Sequence, residues 1–151
     1  MTLAITGLVI VGVLQFLPSV QESGRDSARK TAVTKVELAL EQWAATHSGS
    51  YGKDVGGSVV MVEVSDLYAG NYIGGDVKDP STGAAYSDPG GLPGSGALAI
   101  RDRSGGTSGS LGYCIVIQLE SDQDRYFRAS DRDKSGKLVA GSSLGVVCQA
   151  S

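Results

Sequence analysis

The stretch LPSVQESGRDSARKTAVTKVELALEQWAATHSGSY, residues 17–51, decides the fold. Its apolar side chains recur at the spacing of one helical face. They are Ala28, Ala32, Val36, Ala39, Leu40 and Trp43. Gly49 follows as a stop signal because glycine readily adopts the left-handed conformation that ends helices. The pattern predicts an amphipathic helix over residues 21–50, with a solvated opposite face on which Asp26 and Lys30 form a surface pair and His47 is a surface residue.

The residues before this helix carry no formal charge. The first charged residue is Glu22, so all 13 Lys and Arg and all 16 Asp and Glu follow Gln21. As a helix, residues 1–20 would be about 30 Å long, which matches a bilayer core. A secretory signal peptide is the alternative, but a basic start and a small-residue cleavage site are missing. The sequence therefore predicts a membrane-competent helix with a weak point between Gly12 and Pro18.

Strand and turn signals dominate residues 51–151, the predicted loop-rich domain. The clearest strand is YCIVIQLE (113–120), whose alternation predicts one buried and one solvated face. The other predicted elements are a strand at SVVMVEV (58–64), a short helix at SDLYAGNYI (65–73), and strands at ALAIR (97–101), RYFRAS (125–130) and LGVVCQ (144–149). An antiparallel sheet packed on the apolar helix stripe would bury both surfaces, so the predicted class is α+β.

The amino-acid composition disfavours several classes of function. The net charge is -3, which leaves no basic patch of the size that nucleic-acid backbones require. His47 is the only histidine, so histidine-dependent catalysis and His-rich zinc sites are disfavoured, and we expect no enzyme. Cys114 and Cys148 lack metal-site spacing and predict one disulfide in an oxidising compartment. No cofactor is expected, apart from the calcium considered next.

One loop has a partial calcium-binding pattern. Asp131, Asp133 and Ser135 offer oxygen atoms at alternate positions before Gly136, like the first half of an EF-hand loop. Ser142 stands where that loop needs a glutamate, and Arg132, Lys134 and Lys137 oppose a cation. A solvated hairpin turn with local capping and ion pairing is the favoured alternative.

Two segments carry a family resemblance. The sequence of residues 17–51, after an uncharged helix, resembles type IV pilins and their pseudopilin relatives. YIGGDVKDPSTGAAYSD (72–88) is similar to their Asp-Pro loop. The resemblance covers the N-terminal third well and the rest loosely. It implies the pilin fold, a long helix on a small antiparallel sheet, and polymerisation through the apolar half of that helix. The polymerisation core would comprise Met1, Leu3, Ile5, Leu8, Val9, Val11, Val13, Leu14, Phe16 and Leu17. Family members usually carry glutamate where this chain has Ile5.

The resemblance also implies partners and a location. We expect a homopolymeric cell-surface filament for adhesion, motility or DNA uptake, assembled by pilus machinery from a precursor pool in the inner or cytoplasmic membrane. In the filament, residues 12–17 should lose helical hydrogen bonds. A pseudopilin of a secretion or competence machine is one alternative. A membrane-anchored extracellular ligand-binding module is another, of a different class.

Overall fold

The computed structural model describes the backbone of residues 2–94, 96–108 and 112–149, and the side chains of these residues from Ser19 onward. A single helix, α1, spans Thr2–Thr46. It ends where Ser48 and Gly49 take positive φ angles of 56° and 81°. The N–H of Gly49 donates to the carbonyl of Ala44 at 2.8 Å, which satisfies a carbonyl of the last turn. The predicted helix end near Gly49 is confirmed.

The rest of the described chain forms two antiparallel sheets and two short helices. In chain order the elements are β1 (Gly52–Val55), β2 (Ser58–Met61), α2 (Val64–Ala69), β3 (Leu98–Arg101), β4 (Cys114–Gln118), β5 (Arg125–Ser130), β6 (Asp133–Ala140) and α3 (Leu144–Gln149). The strands β1 and β2 form a hairpin, and the larger sheet has the order β3-β4-β5-β6. The predicted α+β class, a helix packed on antiparallel sheets, is confirmed.

Glycines make the β1–β2 connection possible. Val55 pairs with Ser58, so only Gly56 and Gly57 lie in the turn, with φ angles of 63° and 85°. A two-residue hairpin loop with two positive φ angles matches the right-handed twist of the strands it joins. This position is therefore one where residues with side chains would strain the backbone.

The main core lies between α1 and one face of the larger sheet. Val36 and Leu40 of α1 are completely buried, as is Ile115 of β4. Full burial of one such side chain stabilises the fold by roughly 1.5–3 kcal/mol. The face of α1 differs from the prediction at its first position, because Ala28 is exposed and Arg29 is buried instead. The helix therefore carries a charged residue into its packed face.

The second face of β4 is also buried, which corrects the prediction of a solvated face. Cys114 and Val116 pack with Leu144 and Val147 of α3 in a smaller core. The LGVVCQ segment is thus a helix and not the predicted strand. Its buried residues, Leu144, Val147 and Cys148, follow helical spacing, so one side of a short helix covers the sheet.

Two further boundaries differ from the predictions. The strand predicted over residues 58–64 ends at Met61, and Val64 already begins α2. The sequence also did not predict β6, whose first residues were interpreted as a turn or a calcium loop. Pairing with β5 explains this strand, because Phe127 and Arg128 are in register with Leu138 and Lys137.

Candidate functional site

The predicted polymerisation core lies outside the described side chains. This holds for Met1, Leu3, Ile5, Leu8, Val9, Val11, Val13, Leu14, Phe16 and Leu17. Within the part of the chain whose side chains are described, no helix is long and apolar enough to cross a membrane. The predicted membrane-competent stretch lies almost entirely outside that part. The range of α1 includes Gly12 and Pro18, and their predicted weakness concerns an assembled filament, so it stays a prediction.

A buried carboxylate attaches α1 to the loop after β4. Asp26 accepts hydrogen bonds from the backbone N–H groups of Glu120, at 2.7 Å, and Ser121, at 3.1 Å, and from the Ser121 hydroxyl. Burial acts to raise the pKa of Asp26, but these hydrogen bonds outweigh it and hold the pKa below its ordinary value. Asp26 was predicted to pair with Lys30 on a solvated face. It is instead a buried cap for a distant loop.

Arg29 lies one turn further along α1 and reaches two loops. Its Nε is 2.8 Å from a carboxylate oxygen of Asp79, and its Nη2 is 2.8 Å from Glu120. A further bond runs from Nη2 to the hydroxyl of Ser81 at 2.6 Å. Because planar guanidinium groups offer several donors at fixed angles, one arginine can hold both loops.

Asp79 is shaped to receive this guanidinium. Its other oxygen accepts the backbone N–H groups of Ser81 and Thr82, both at 3.0 Å, so the carboxylate also closes its own turn. Burial acts to raise the pKa of Asp79, while the bonds from Arg29 and Ser81 lower it more, and the net pKa is below the ordinary value. The Asp-Pro segment thus binds α1 through the carboxylate of Asp79. We call Asp26, Arg29, Asp79 and Glu120 the helix anchor.

The helical spacing of Arg29 could have indicated the helix anchor from the sequence, but the predictions above did not include it. Arg29 precedes Val33 by four positions and Ala32 by three, so it shares the apolar face at helical spacing. A charged residue there has to be paired when the face is buried. The partner loops, fifty and more positions away, could not be identified from the sequence.

A second polar contact joins α1 to β6. Glu37 is only 6% exposed, and its Oε1 has no hydrogen-bond partner among the described residues. The neighbouring carboxylate of Glu41 instead pairs with Lys134 of β6 at 2.8 Å. Burial raises the pKa of Glu37 to about 7, with Lys134 opposing the shift and Glu41 adding to it. The fold therefore keeps a titratable group between the helix and the sheet edge.

The two cysteines form the predicted disulfide. Cys114 of β4 and Cys148 of α3 are bonded, with their Cα atoms 5.8 Å apart. Both side chains are buried in the smaller core. The bond therefore ties the last described helix to the centre of the larger sheet, which agrees with the prediction except that the second cysteine lies on a helix.

Two of the three predicted calcium ligands, Asp131 and Asp133, are paired with cationic side chains, and the third, Ser135, donates to Asp133. Asp131, in the turn between β5 and β6, receives two donors from Arg103. Asp133 lies 3.3 Å from Arg128 Nη2 and 3.5 Å from Lys137 Nζ, and it accepts the hydroxyl of Ser135 at 2.8 Å. Within the described ranges, no three His, Cys, Asp or Glu residues are grouped to hold a metal ion. Calcium binding stays a prediction for titration to test.

His47 lies at the end of α1 and is exposed. Its ring stacks on Trp43 with centroids 3.9 Å apart, and its Nδ1 is 2.8 Å from the Trp43 carbonyl. Through these contacts His47 packs on the C-terminal end of α1.

We compared the chain with protein-family models, curated proteins and solved structures, and no match was found.

Proposed function

We propose that the chain is a structural subunit of a type IV pilus-like filament, which it builds by packing its uncharged N-terminal stretch against the same stretch of other copies. The continuity of α1 carries this proposal. The uncharged residues and the residues that pack on the sheet belong to one helix, Thr2–Thr46, with no linker between them. A simple anchor for a binding module would be joined by a flexible linker.

The helix anchor supports the proposal because a filament needs each domain at a fixed angle to its helix. Asp26 and Arg29 bind loops that are far away in sequence, and both side chains are buried. Each copy would therefore present its uncharged stretch in the same direction. Uniform presentation is what identical, repeated packing in a helical polymer requires.

The energetics of assembly follow from the composition of residues 1–20. In a membrane these side chains contact lipid, and in a filament they would contact other helices. Both environments are apolar, so the transfer removes little apolar surface from water. Association then depends on close packing, which Gly7 and Gly12 favour by letting backbones approach. With Ile5 in place of the usual glutamate, assembly would need no charged side chain in this stretch.

The filament would lie on the cell surface and serve adhesion, motility or DNA uptake. A pseudopilin would form short or conditional filaments within a secretion or uptake machine. A membrane-anchored binding module would remain monomeric and bind a ligand. Negative-stain microscopy of the native assembly separates these outcomes, because only the first gives long filaments.

A substitution at Ile5 tests the assembly surface. Ile5→Lys should abolish filaments, since an unpaired charge in a packed apolar core costs several kcal/mol. Ile5→Leu, the matched control, should assemble like the parent chain. An intact disulfide in both variants would show that the domain still folds. Long filaments from the Lys variant would overturn the proposed surface, and a monomeric parent that binds a ligand saturably would favour the anchored module.

A further inference from the structure

A groove runs between α1 and the β5–β6 hairpin, on the face of the larger sheet opposite α3. Its volume is about 450 Å³, which falls within the range of small-ligand sites. The helix supplies one wall and the hairpin the other, so the groove exists only when α1 packs on the sheet. Its polar and aromatic lining includes Lys30, Thr31, Thr34, Glu37, Phe127 and Lys134.

Glu37 lies at the floor of this groove. It lines the groove although it is only 6% exposed, and its Oε1 has no hydrogen-bond partner among the described residues. Burial of a polar group without a partner is costly, so buried polar groups in folded proteins are usually satisfied by a hydrogen bond. The ammonium group of Lys134 pairs with Glu41 instead. The floor of the groove therefore offers a carboxyl group that a bound molecule could satisfy.

Lys30 lies on the exposed side of the groove, next to an aromatic ring. Its Nζ is 5.6 Å from the centroid of the Phe127 ring, within the range of a cation–π contact. Asp26, one turn earlier on α1, is bound to the Glu120 loop, and among the described residues no carboxylate forms an ion pair with Lys30. The tip of the Phe127 ring abuts Gly136, where a Cβ would overlap the ring. The groove thus presents an ammonium group beside an apolar surface.

Two threonine hydroxyls on the helix wall can act as acceptors. The hydroxyl of Thr31 donates to the carbonyl of Ser27 at 3.0 Å, and that of Thr34 donates to the carbonyl of Lys30 at 3.3 Å. A hydroxyl has one proton and two lone pairs, so both oxygens can still accept a hydrogen bond. The groove therefore combines hydrogen-bond acceptors with the donors of its lysines.

This combination of donors and acceptors selects the chemistry of a ligand. An anion such as phosphate has only acceptors and would face the lone pairs of Glu37 and the threonines, whereas an ammonium ion has only donors and would face Lys30 and Lys134. A hydroxyl group both donates and accepts. It also fits either form of the Glu37 carboxyl, because burial raises the pKa of Glu37 to about 7 and both forms are populated near neutral pH.

We propose that the groove binds a neutral, hydroxyl-rich ligand, a sugar ring of a saccharide, through Glu37, Lys30 and Phe127. Hydroxyls of the ligand would bond to the carboxyl and ammonium groups, and a C–H face of the sugar ring would pack on the aromatic side chain. The proposal goes beyond filament formation and does not depend on it, because none of these residues belongs to the uncharged stretch of α1.

A printed array of neutral oligosaccharides tests the site. The probe is the full chain in a polyoxyethylene detergent, which has no sugar head group to compete. The parent should be retained on at least one saccharide, whose affinity is then measured in solution by calorimetry. Lys30→Ala should weaken this affinity at least tenfold. The matched control is Lys35→Ala, which removes an exposed lysine of α1 outside the groove and should bind like the parent.

Two substitutions at Glu37 separate a contact to the ligand from a structural role. Glu37→Gln keeps a donor and an acceptor and should retain the affinity within roughly threefold. Glu37→Leu has a comparable volume but neither group, so it should lose at least tenfold in affinity while its unfolding midpoint shows that the domain remains folded.

Three outcomes would overturn the proposal. Retention on no saccharide would mean that only water satisfies Glu37. Equal losses in Lys30→Ala and Lys35→Ala would place the binding outside the groove. Displacement of the retained saccharide by millimolar phosphate or ethylammonium, beyond the effect of sodium chloride at equal ionic strength, would indicate a charged ligand instead of a neutral one.

Discussion

The guanidinium of Arg29 and the carboxylate of Asp79 meet at 2.8 Å, although 50 positions separate them in the chain. Their side chains are 1% and 0% exposed, so water does not screen the pair. A buried ion pair is costly to break on one side only, because the remaining charge stays in the interior without its partner. The contact therefore fixes where α1 lies on the domain more than it adds net stability.

Removing one partner should expose this dependence. Asp79→Ala removes the carboxylate that pairs with Arg29 Nε, while the pairs of Arg29 with Glu120 at 2.8 Å and Asp26 at 3.9 Å remain. It also deletes the two acceptor contacts of the Ser81–Thr82 turn. We expect the free energy of unfolding, measured by urea denaturation, to fall by about 3–5 kcal/mol.

The matched control is Asp76→Ala, which removes the exposed pair with Lys35. Exposed pairs contribute little because solvent screens them, so this variant should unfold almost like the parent. Equal losses in both variants would contradict the assigned role of burial.

Glu37 predicts an unusual pH dependence. Its pKa is raised from 4.5 to about 7, so the folded state binds this proton more tightly than the unfolded state does. The stability that this proton contributes is complete below pH 4.5 and is lost as pH rises to about 7. The difference corresponds to roughly 3 kcal/mol. Urea denaturation should therefore show a parent chain that is less stable at pH 8 than at pH 5.

Glu37→Gln should flatten this profile, because the glutamine has no proton to release. Its advantage over the parent should appear at pH 8 and not at pH 5. Asp124→Asn, at an exposed position, should keep the parent profile. The lowered pKa values of Asp26 and Asp79 act at more acidic pH and leave this window unaffected. An unchanged slope in Glu37→Gln would rule out Glu37 as its source.

The disulfide should account for a large part of the stability. Cys114 and Cys148 close a loop with a sequence separation of 34, for which chain entropy gives about 3–4 kcal/mol. The double variant Cys114→Ala/Cys148→Ala should lose this amount in urea denaturation while introducing no buried polar group. Detection of two free thiols in the unreduced parent would contradict the bond.

If the chain assembles as proposed, residues 12–17 should lose helical hydrogen bonds in the filament. Pro18 lacks an N–H and its ring crowds the carbonyl of Leu14, while Gly12 lowers the helix propensity. A local opening would let the filament stretch and bend. A helical reconstruction that resolves the backbone tests this, and unbroken hydrogen bonds through Leu14 would contradict it.

Local patterns predicted the elements that depend on local chemistry. The alternation in β4 and the spacing of Val36, Leu40 and Trp43 on α1 were sufficient to predict a helix packed on an antiparallel sheet. The LGVVCQ segment shows where propensity fails. Its β-branched residues favour a strand, but the segment is a helix whose buried residues Leu144, Val147 and Cys148 pack in the smaller core with Val116.

The strand β6 was missed for the opposite reason. DKSGKLVA contains charges and a glycine, which are typical of a turn, and only pairing with β5 makes it a strand. Only part of the helix anchor could be predicted from the sequence. The spacing of Arg29 places it on the apolar face of α1, where a charge needs a partner, but its partners Asp79 and Glu120 are determined by the tertiary fold. Local sequence patterns cannot identify contact partners that are far apart in the chain.

The helix anchor joins residues of α1 to loops far away in sequence, and this separation also affects how the domain folds. Asp26 binds the N–H groups of Glu120 and Ser121, which lie 94 and 95 positions away. Closing so long a loop has a large entropic cost before any contact forms, and proteins with such contacts fold slowly. The α1 register is therefore expected to be set late, after the β4–β5 pairing. Substitutions at Asp26 should then accelerate unfolding far more than they slow refolding.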